Sequence, residues 1–163
     1  MRKLWIIPAL MTLLLTGCGA EETFETVEDV HVQQVAAPVR EIIVTLPEEA
    51  AAPAAESEAG AIYQCDGYEI MVQTMEGGDL NDTIRTLSGF ERTDLTVMYT
   101  GLTDVEKYAL VWACTGEEGD RIGKAVILDD GSYHYTLTIL ADADRCEAYT
   151  EVWQKMFESF RLS

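Results

Sequence analysis

The sequence is poor in positive charge. Its 163 residues include 11 Lys and Arg against 29 Asp and Glu, which gives a formal net charge of −18. Contacts with the phosphates of DNA or RNA depend on Lys and Arg side chains, so this composition excludes a nucleic-acid-binding protein. A basic surface that docks on an anionic membrane is excluded for the same reason.

Histidine is scarce, and the motifs of common catalytic sites are missing. Neither His31 nor His134 has a cysteine or a second histidine at the spacing of a zinc site. The sequence contains no G-x-S-x-G, no H-E-x-x-H and no glycine-rich phosphate loop. A catalytic triad would have to use His31 or His134, and we expect His134 to be a partly exposed strand residue. The sequence therefore predicts a protein that is not an enzyme and that holds no metal or cofactor.

Acidic residues gather in two turns and one D-x-D motif. The turns are 117–120 and 129–131, and the motif spans Asp142 and Asp144. A calcium loop of the EF-hand type needs a glycine and a distal glutamate, but Glu147 and Trp153 stand at those positions. We expect solvent-exposed turns and a helix cap rather than a calcium site.

Long apolar runs are absent apart from one at the start of the chain. Arg2 and Lys3 precede the mostly apolar stretch Leu4–Leu15. A membrane-spanning helix needs about 20 apolar residues, so this stretch is too short to span comfortably. Two basic residues followed by an apolar run of this length are typical of a secretory signal.

The most specific motif follows that run. Leu15, Thr16, Gly17 and Cys18 resemble a bacterial lipobox, in which an aliphatic residue and two small residues precede a cysteine. The resemblance implies that residues 1–17 are a lipoprotein signal peptide and that Cys18 becomes the lipidated first residue. Stable attachment takes more than one acyl chain, and a diacylglyceryl cysteine supplies two. We therefore expect anchoring to the cell membrane on its extracytoplasmic side. The alternative is an ordinary signal peptide with a chance cysteine.

Residues 18–39 are predicted to be a flexible acidic tether. Phe24 is the only aromatic residue in this segment. Such a composition buries too little apolar surface to offset the entropy of ordering the chain. A short strand over Val27–Val35 is the alternative. Residues 48–60, rich in Ala, Glu and Pro, are predicted to be a mobile loop inside the domain that spans 40–163.

The domain combines strand and helix patterns. β-Branched and alternating apolar residues predict seven strands, over 41–46, 61–65, 68–75, 95–100, 107–115, 121–128 and 133–140. Two helices are predicted: one over 80–87 with Asp79 as N-cap and Gly89 at its C-terminus, and one from Asp142 or Asp144 to about Phe160. Most connections are hairpins, and the apolar helix faces need a sheet to cover them. The predicted fold is α+β, a mostly antiparallel sheet packed with two helices.

The order β-β-β-α-β-β-β-β-α resembles the Mog1/PsbP-like family. The first strand ends in Leu46-Pro47, and the last helix ends in Ser159-Phe160-Arg161, as in that family. The resemblance covers about residues 40–163 and implies a helix-and-sheet sandwich. It brings no catalytic motif with it. Some bacterial lipoproteins carry domains of this kind.

Three cysteines remain besides Cys18. They are Cys65, Cys114 and Cys146, and an exported protein meets an oxidising environment. Either all three are small buried thiols, or one pair forms a disulfide. Cys65 and Cys146 are the predicted pair, because a strand end and a helix start can adjust their backbones. No C-x-x-C motif indicates redox catalysis.

Many aromatic residues fall on the predicted strands. Those that no helix covers would form an interaction surface, although we expect most of them to pack in the core. They are Tyr63, Tyr68, Tyr99, Tyr108, Trp112, Tyr133 and Tyr135. The predicted function is therefore a membrane-anchored, non-catalytic module that binds an envelope protein or a small ligand. An accessory or structural subunit of an envelope complex is the alternative.

Overall fold

The computed structural model describes residues 37–116 and 119–163. Within these ranges the chain forms an α+β fold, as predicted, with two α-helices and nine strands. The helices are α1 (Leu80–Ser88) and α2 (Thr150–Ser159). The strands are β1 (Ile42–Ile43), β2 (Ala55–Ser57), β3 (Gly60–Cys65), β4 (Tyr68–Glu76), β5 (Val97–Gly101), β6 (Glu106–Gly116), β7 (Gly119–Asp129), β8 (Tyr133–Asp142) and β9 (Arg161–Leu162).

Seven strands form one antiparallel sheet in the order β2-β3-β4-β8-β7-β6-β5. Tight turns produce most of these pairings. Gly67 and Gly131 take positive φ values of 80° and 85°, which the turns at Asp66-Gly67 and Asp130-Gly131 require. The β4–β8 pair is the exception, because α1 and β5 to β7 lie between these strands in the chain. β1 and β9 form a separate antiparallel pair.

The two helices cover opposite faces of the sheet. Along β7, Ile127 points to the face where Ile84 of α1 packs, whereas Leu128 points to the face where Trp153 of α2 packs. This alternation follows from the two-residue period of a strand. Full burial of one such large apolar side chain contributes about 1.5–3 kcal/mol, before the entropic cost of ordering it. Each face of the sheet therefore has a core of its own.

Helix α1 begins and ends where its capping residues predict. The Asp79 side chain accepts a hydrogen bond of 2.9 Å from the backbone N–H of Asn81. Gly89 adopts the left-handed conformation at φ 78°, and its N–H donates to the carbonyl of Arg85 at 2.8 Å. Both termini thus satisfy backbone groups that a helix leaves unpaired.

The start of the last helix differs from the prediction. Asp142 is the final residue of β8 and lies opposite Arg121 of β7, so it does not cap a helix. A 3₁₀ turn over Cys146–Tyr149 follows, and α2 begins at Thr150 without a side-chain cap. The prediction of Asp142 or Asp144 as the N-cap is wrong, because pairing with β7 extends β8 to Asp142 and Asp144 lies in the turn between β8 and the 3₁₀ turn.

Long-range pairing also changes the first strands. The predicted strand 41–46 is reduced to β1, which pairs with a strand at Arg161–Leu162 that the periodicity did not indicate. The predicted loop 48–60 contains a 3₁₀ turn over Glu48–Ala50 and the edge strand β2. Its mobility stays a prediction.

The predictions for the signal peptide, the lipobox and most of the tether fall on residues 1–36, outside the described residues. Across 37–116 and 119–163, no helix has the length and apolar character needed to cross a membrane.

Candidate functional site

One part of the sheet on the side of α2 has no helix over it. Trp153 and Met156 of α2, together with Phe160 directly after it, pack over β4, β8 and β7. Strands β5 and β6 lie beyond this contact at the end of the sheet order. We call the uncovered part the β5–β6 surface; its members are Met98 of β5, Val111 and Ala113 of β6 and Ile122 of β7, with Lys107, Lys124 and the partly buried Ala109 at its borders.

Strand register places these side chains together. Tyr108, Leu110 and Trp112 of β6 belong to the core under α1, so the alternate residues Ala109 and Val111 point to the α2 side. Met98 lies directly opposite Ala109 in the β5–β6 ladder. Val111 lies directly opposite Lys124 in the β6–β7 ladder. Direct neighbours in a ladder are close enough for their side chains to touch.

Large apolar side chains are exposed on this surface and at its end. Met98 is 61% exposed and Val111 is 50% exposed, while Leu102, just after β5, is 52% exposed. Isolated apolar residues on a protein surface are common and need no explanation. Here, however, two of them lie on adjacent strands of one uncovered face, so they contribute to one patch. Contiguous patches of this kind are typical of interaction sites.

Strand β5 leaves one backbone edge open. Among the described residues it pairs with β6 on one side and with no strand on the other. Proteins usually protect such edges with charged residues or proline, but β5 reads Val-Met-Tyr-Thr-Gly. The N–H and C=O groups of this edge are therefore available to a strand from another protein.

Two lysines border the β5–β6 surface in a protein that is acidic as a whole. Neither Lys107 nor Lys124 forms an ion pair within 37–116 or 119–163. The Nζ atom of Lys124 lies 5.1 Å from the centre of the Trp153 ring, a cation–π contact that orients this lysine. The surface is thus complementary to a segment that is apolar with an acidic flank.

An acidic cleft of about 530 Å³ lies where the β5–β6 loop meets the β7–β8 turn. Four carboxylates line it, those of Asp104, Glu106, Asp129 and Asp130. Burial alone would raise the pKa of Asp130, but hydrogen bonds from the backbone N–H groups of Ser132 and Tyr133 lower it. No group of three or more His, Cys, Asp or Glu in the described part of the chain could hold a metal ion.

His134 is buried, so the prediction of a partly exposed histidine is wrong. Its Nδ1 atom lies 2.7 Å from Oγ1 of Thr83, and its Nε2 atom lies 3.3 Å from Oδ2 of Asp129. Hydroxyl, imidazole and carboxylate follow in the order of a catalytic triad. Thr83, however, is only 7% exposed, and it does not line the acidic cleft. The contacts therefore connect α1 to β7 and β8, and they satisfy a buried polar group.

Strand alternation puts His134 on the face of β8 opposite Tyr133 and Tyr135, but it does not show whether that face is covered. The residues on either side of it, Tyr133 and Tyr135, point to the α2 side, as expected for alternation. His134 is 1% exposed because α1 covers the opposite face. The sequence does offer one signal of this burial. Thr83 places a hydroxyl on the apolar face of the predicted helix 80–87, where it needs a buried polar partner such as His134.

Cys65, Cys114 and Cys146 are free and half-buried thiols in this structure. Cys65 and Cys146 both pack against the core on the α2 side, and burial raises the pKa of each thiol. Cys65 precedes Asp66 in the chain, and Cys146 follows Arg145. Asp66 and Arg145 form an ion pair with two hydrogen bonds of 2.8 and 2.6 Å. The Cys65–Cys146 disulfide stays a prediction, which peptide mapping without reductant would test.

Most of the predicted strand aromatics are in the core. Tyr68, Tyr108, Trp112 and Tyr135 are buried, whereas Tyr99 of the edge strand β5 is 58% exposed. The expectation that helices cover most of these rings is confirmed. Tyr99 adds a large exposed ring to β5, on the face opposite Met98.

Comparison with known proteins supports the fold. No protein-family model and no curated protein matches the chain. The crystal structure of LpqN, involved in cell envelope biogenesis of Mycobacterium tuberculosis, matches with a TM-score of 0.52 and 13% identity, covering 77% of this chain and 84% of LpqN. The solution structure of cyanobacterial PsbP (CyanoP) from Synechocystis sp. PCC 6803 matches with a TM-score of 0.50 and 12% identity, covering 75% of this chain and 82% of CyanoP.

The fold is PsbP-like. The predicted Mog1/PsbP-like sandwich is therefore confirmed at the level of architecture. At 12–13% identity the likeness establishes the fold alone, and the function must be argued from the surfaces of this chain.

Proposed function

We propose that this chain is a lipoprotein of a bacterial cell envelope whose domain is a non-catalytic accessory module. Lipid on Cys18 holds it to the membrane on the extracytoplasmic side, and the domain binds another envelope protein. The lipobox residues Leu15, Thr16 and Gly17 and the short apolar run before them support the anchor. The likeness to LpqN, an envelope-biogenesis protein, supports the location.

One observation carries the binding role: β5 is an uncharged edge strand with exposed Met98 on it and exposed Val111 beside it. An added strand would pair with the β5 backbone, and its side chains on the α2 side would pack beside Met98 at the edge of the β5–β6 surface. Lys107 of β6, one strand further in, would be within reach of an acidic side chain of that strand. A protein segment fits this site better than a small molecule, since the surface is flat and borders an open backbone edge.

The arrangement of polar groups supports a non-catalytic role. Of the two histidines in the sequence, the structure describes His134. This side chain contacts Thr83 and Asp129 and is buried under α1. A general base must reach a substrate within hydrogen-bonding distance. His134 has no such access in this fold.

The anchor is tested with Cys18→Ser in cells of the source organism. We expect the unchanged chain to partition into the detergent phase with the mass of an acylated N-terminal cysteine. Cys18→Ser should move to the aqueous phase, while Cys114→Ser should behave as the unchanged chain does. Detergent partitioning of Cys18→Ser equal to that of the unchanged chain would contradict the anchor.

The binding surface is tested with a pair of charge reversals in the lipidated chain. Lys107→Glu changes the border of the β5–β6 surface, and Lys155→Glu makes the same charge change on the exposed side of α2. We expect the complex seen by native electrophoresis of solubilised membranes to be lost with Lys107→Glu and retained with Lys155→Glu. Equal loss with both variants would indicate a general charge effect and contradict the proposed surface.

A further inference from the structure

A second candidate binding site lies at the opposite edge of the sheet. A cleft of about 340 Å³ opens between the chain segment 42–46 and the hairpin of β2 and β3. Its apolar lining consists of half-buried side chains, those of Ile42, Val44, Leu46, Ala61, Tyr63 and Val72. Five of these six, all but Ala61, also pack against the core on the α2 side. The cleft is thus an opening beside the core at the edge of the sheet.

Two carboxylates stand at the rim of this cleft. Glu56 lies in β2 and Glu58 in the turn that follows, and both side chains are exposed. Neither forms an ion pair with any residue of 37–116 or 119–163. With 29 acidic against 11 basic residues, the chain as a whole adds to the negative potential here. The rim therefore favours a cation and repels an anion.

Strand β2 is held in place as an edge strand. Gly60, at the start of β3, has φ 147°, and a β-carbon on it would lie 2.1 Å from the carbonyl oxygen of Val72. The N–H of Thr74 donates to the carbonyl of Ala59 at 2.8 Å, which fixes the β2–β3 turn against β4. Beyond its pairing with β3, the described chain places no strand beside β2. The open side of β2 is therefore preformed for another strand.

We propose that this edge binds an extended segment of a partner protein in which a lysine or arginine alternates with a large aliphatic residue. The segment pairs with the backbone of β2. Its aliphatic side chain enters the cleft beside Tyr63, and its cation faces Glu56 and Glu58. Glu56 lies opposite Ala61, a lining residue, so the carboxylate and the cleft share one face of the sheet. Aliphatic and basic residues two positions apart in a strand also share one face.

A peptide fits this edge better than a cationic amphiphile does. The cleft is shallow, and it adjoins the backbone groups of β2, which a peptide can pair with and an alkyl chain cannot. The inference goes beyond the proposed function, because β2 and β5 are the two opposite edges of the seven-stranded sheet. Variants at one edge therefore leave the other unchanged, and the two proposals can fail separately.

The test uses the full-length chain in non-ionic detergent and a synthetic peptide, acetyl-Ser-Ile-Thr-Lys-Ser-Ile-Thr-amide, with titration calorimetry as readout. When the peptide is extended, its two isoleucines and its lysine lie on the same face, because they are two positions apart. We expect this peptide to bind and the same peptide with glutamate in place of lysine not to bind. The double variant Glu56→Gln, Glu58→Gln should weaken binding about three- to tenfold, since each exposed charge pair contributes modestly.

Matched controls separate the site from the general charge of the protein. Glu147→Gln with Glu151→Gln removes the same charge from two exposed residues, one in the 3₁₀ turn before α2 and one in the first turn of α2, and we expect unchanged affinity. Ala61→Phe fills the cleft and should abolish binding, with circular dichroism confirming the fold. If that variant does not fold, the comparison of the double variant at Glu56 and Glu58 with the double variant at Glu147 and Glu151 tests the proposal.

Three results would overturn the proposal. The first is that the double variant at Glu56 and Glu58 and the double variant at Glu147 and Glu151 bind the lysine peptide with equal affinity. The second is equal binding of the lysine and glutamate peptides. The third is binding of decylamine that depends on Glu56 and Glu58 while the lysine peptide does not bind, because that would make the cleft a site for a cationic amphiphile.

Discussion

Trp112 lies directly across the β6–β7 ladder from Gly123, and its ring fills the space that a side chain at position 123 would need. A β-carbon on Gly123 would come within 2.0 Å of Cε2 of Trp112. The ring is buried in the core under α1, with Leu80 and Ile84 of that helix in the same cluster. The glycine therefore allows the largest side chain of this core to lie flat on the sheet.

Gly123→Ala should lower the free energy of unfolding by about 1–3 kcal/mol, because Trp112 must move within a packed core. Gly78→Ala is the control, since a β-carbon there meets nothing within 4 Å. Urea unfolding followed by tryptophan fluorescence measures both. A Gly123→Ala protein as stable as the Gly78→Ala protein would show that the ring has room to shift.

Thr83→Val should lower the free energy of unfolding by about 1–3 kcal/mol, because it leaves a ring nitrogen of buried His134 without its partner. Valine keeps the shape of threonine, so the change removes little packing. Thr86→Val, one turn further along the exposed side of α1, should change stability by less than about 0.5 kcal/mol. Equal stability of the two variants in urea would mean that the Thr83–His134 contact contributes nothing.

Tyr108 should make the fold sensitive to alkali. Its hydroxyl donates to the Glu106 carboxylate, and this bond, together with burial, raises the pKa of Tyr108 to about 12 from an ordinary value of 10.0. The folded state thus holds the proton more tightly than the unfolded chain does. The stability linked to Tyr108 is fully present below pH 10 and is lost as the pH rises from 10 towards about 12.

Ultraviolet titration of the unchanged chain and of Tyr108→Phe isolates this ionisation. We expect Glu106→Gln to move the pKa of Tyr108 back towards its ordinary value, because the negative charge beside the hydroxyl is gone. Urea midpoints of Tyr108→Phe should fall less steeply between pH 10 and about 12. A pKa of Tyr108 that is the same with and without the Glu106 carboxylate would contradict the assignment.

Local signals predicted the parts of the fold that depend on neighbouring residues. The caps at Asp79 and Gly89 and the turn at Asp66-Gly67 each act within a few residues, and the elements that they bound were predicted closely. By contrast, β1 pairs with β9 from the other end of the chain, and β2 has a composition typical of a loop. Only the partner strands make these segments extended.

The candidate binding surfaces were less predictable than the fold. Whether Val111 is exposed depends on how far α2 reaches across the sheet, and strand alternation shows the face but not what covers it. The burial of His134 depends in the same way on the position of α1. The cleft beside Glu56 forms where segment 42–46 lies near β3. These residues carry no motif, so the sequence did not indicate the cleft.

Site-specific photo-crosslinking in cells tests the central claim, that the domain acts by binding another protein through β5. A photoreactive amino acid is placed at position 98 in the β5–β6 surface and, as the control, at position 155 on the outer side of α2. The account predicts one discrete crosslinked species from position 98 that disappears with Lys107→Glu, and no such species from position 155. Identical crosslinking from the two positions, or none from position 98 in the lipidated chain, would contradict it.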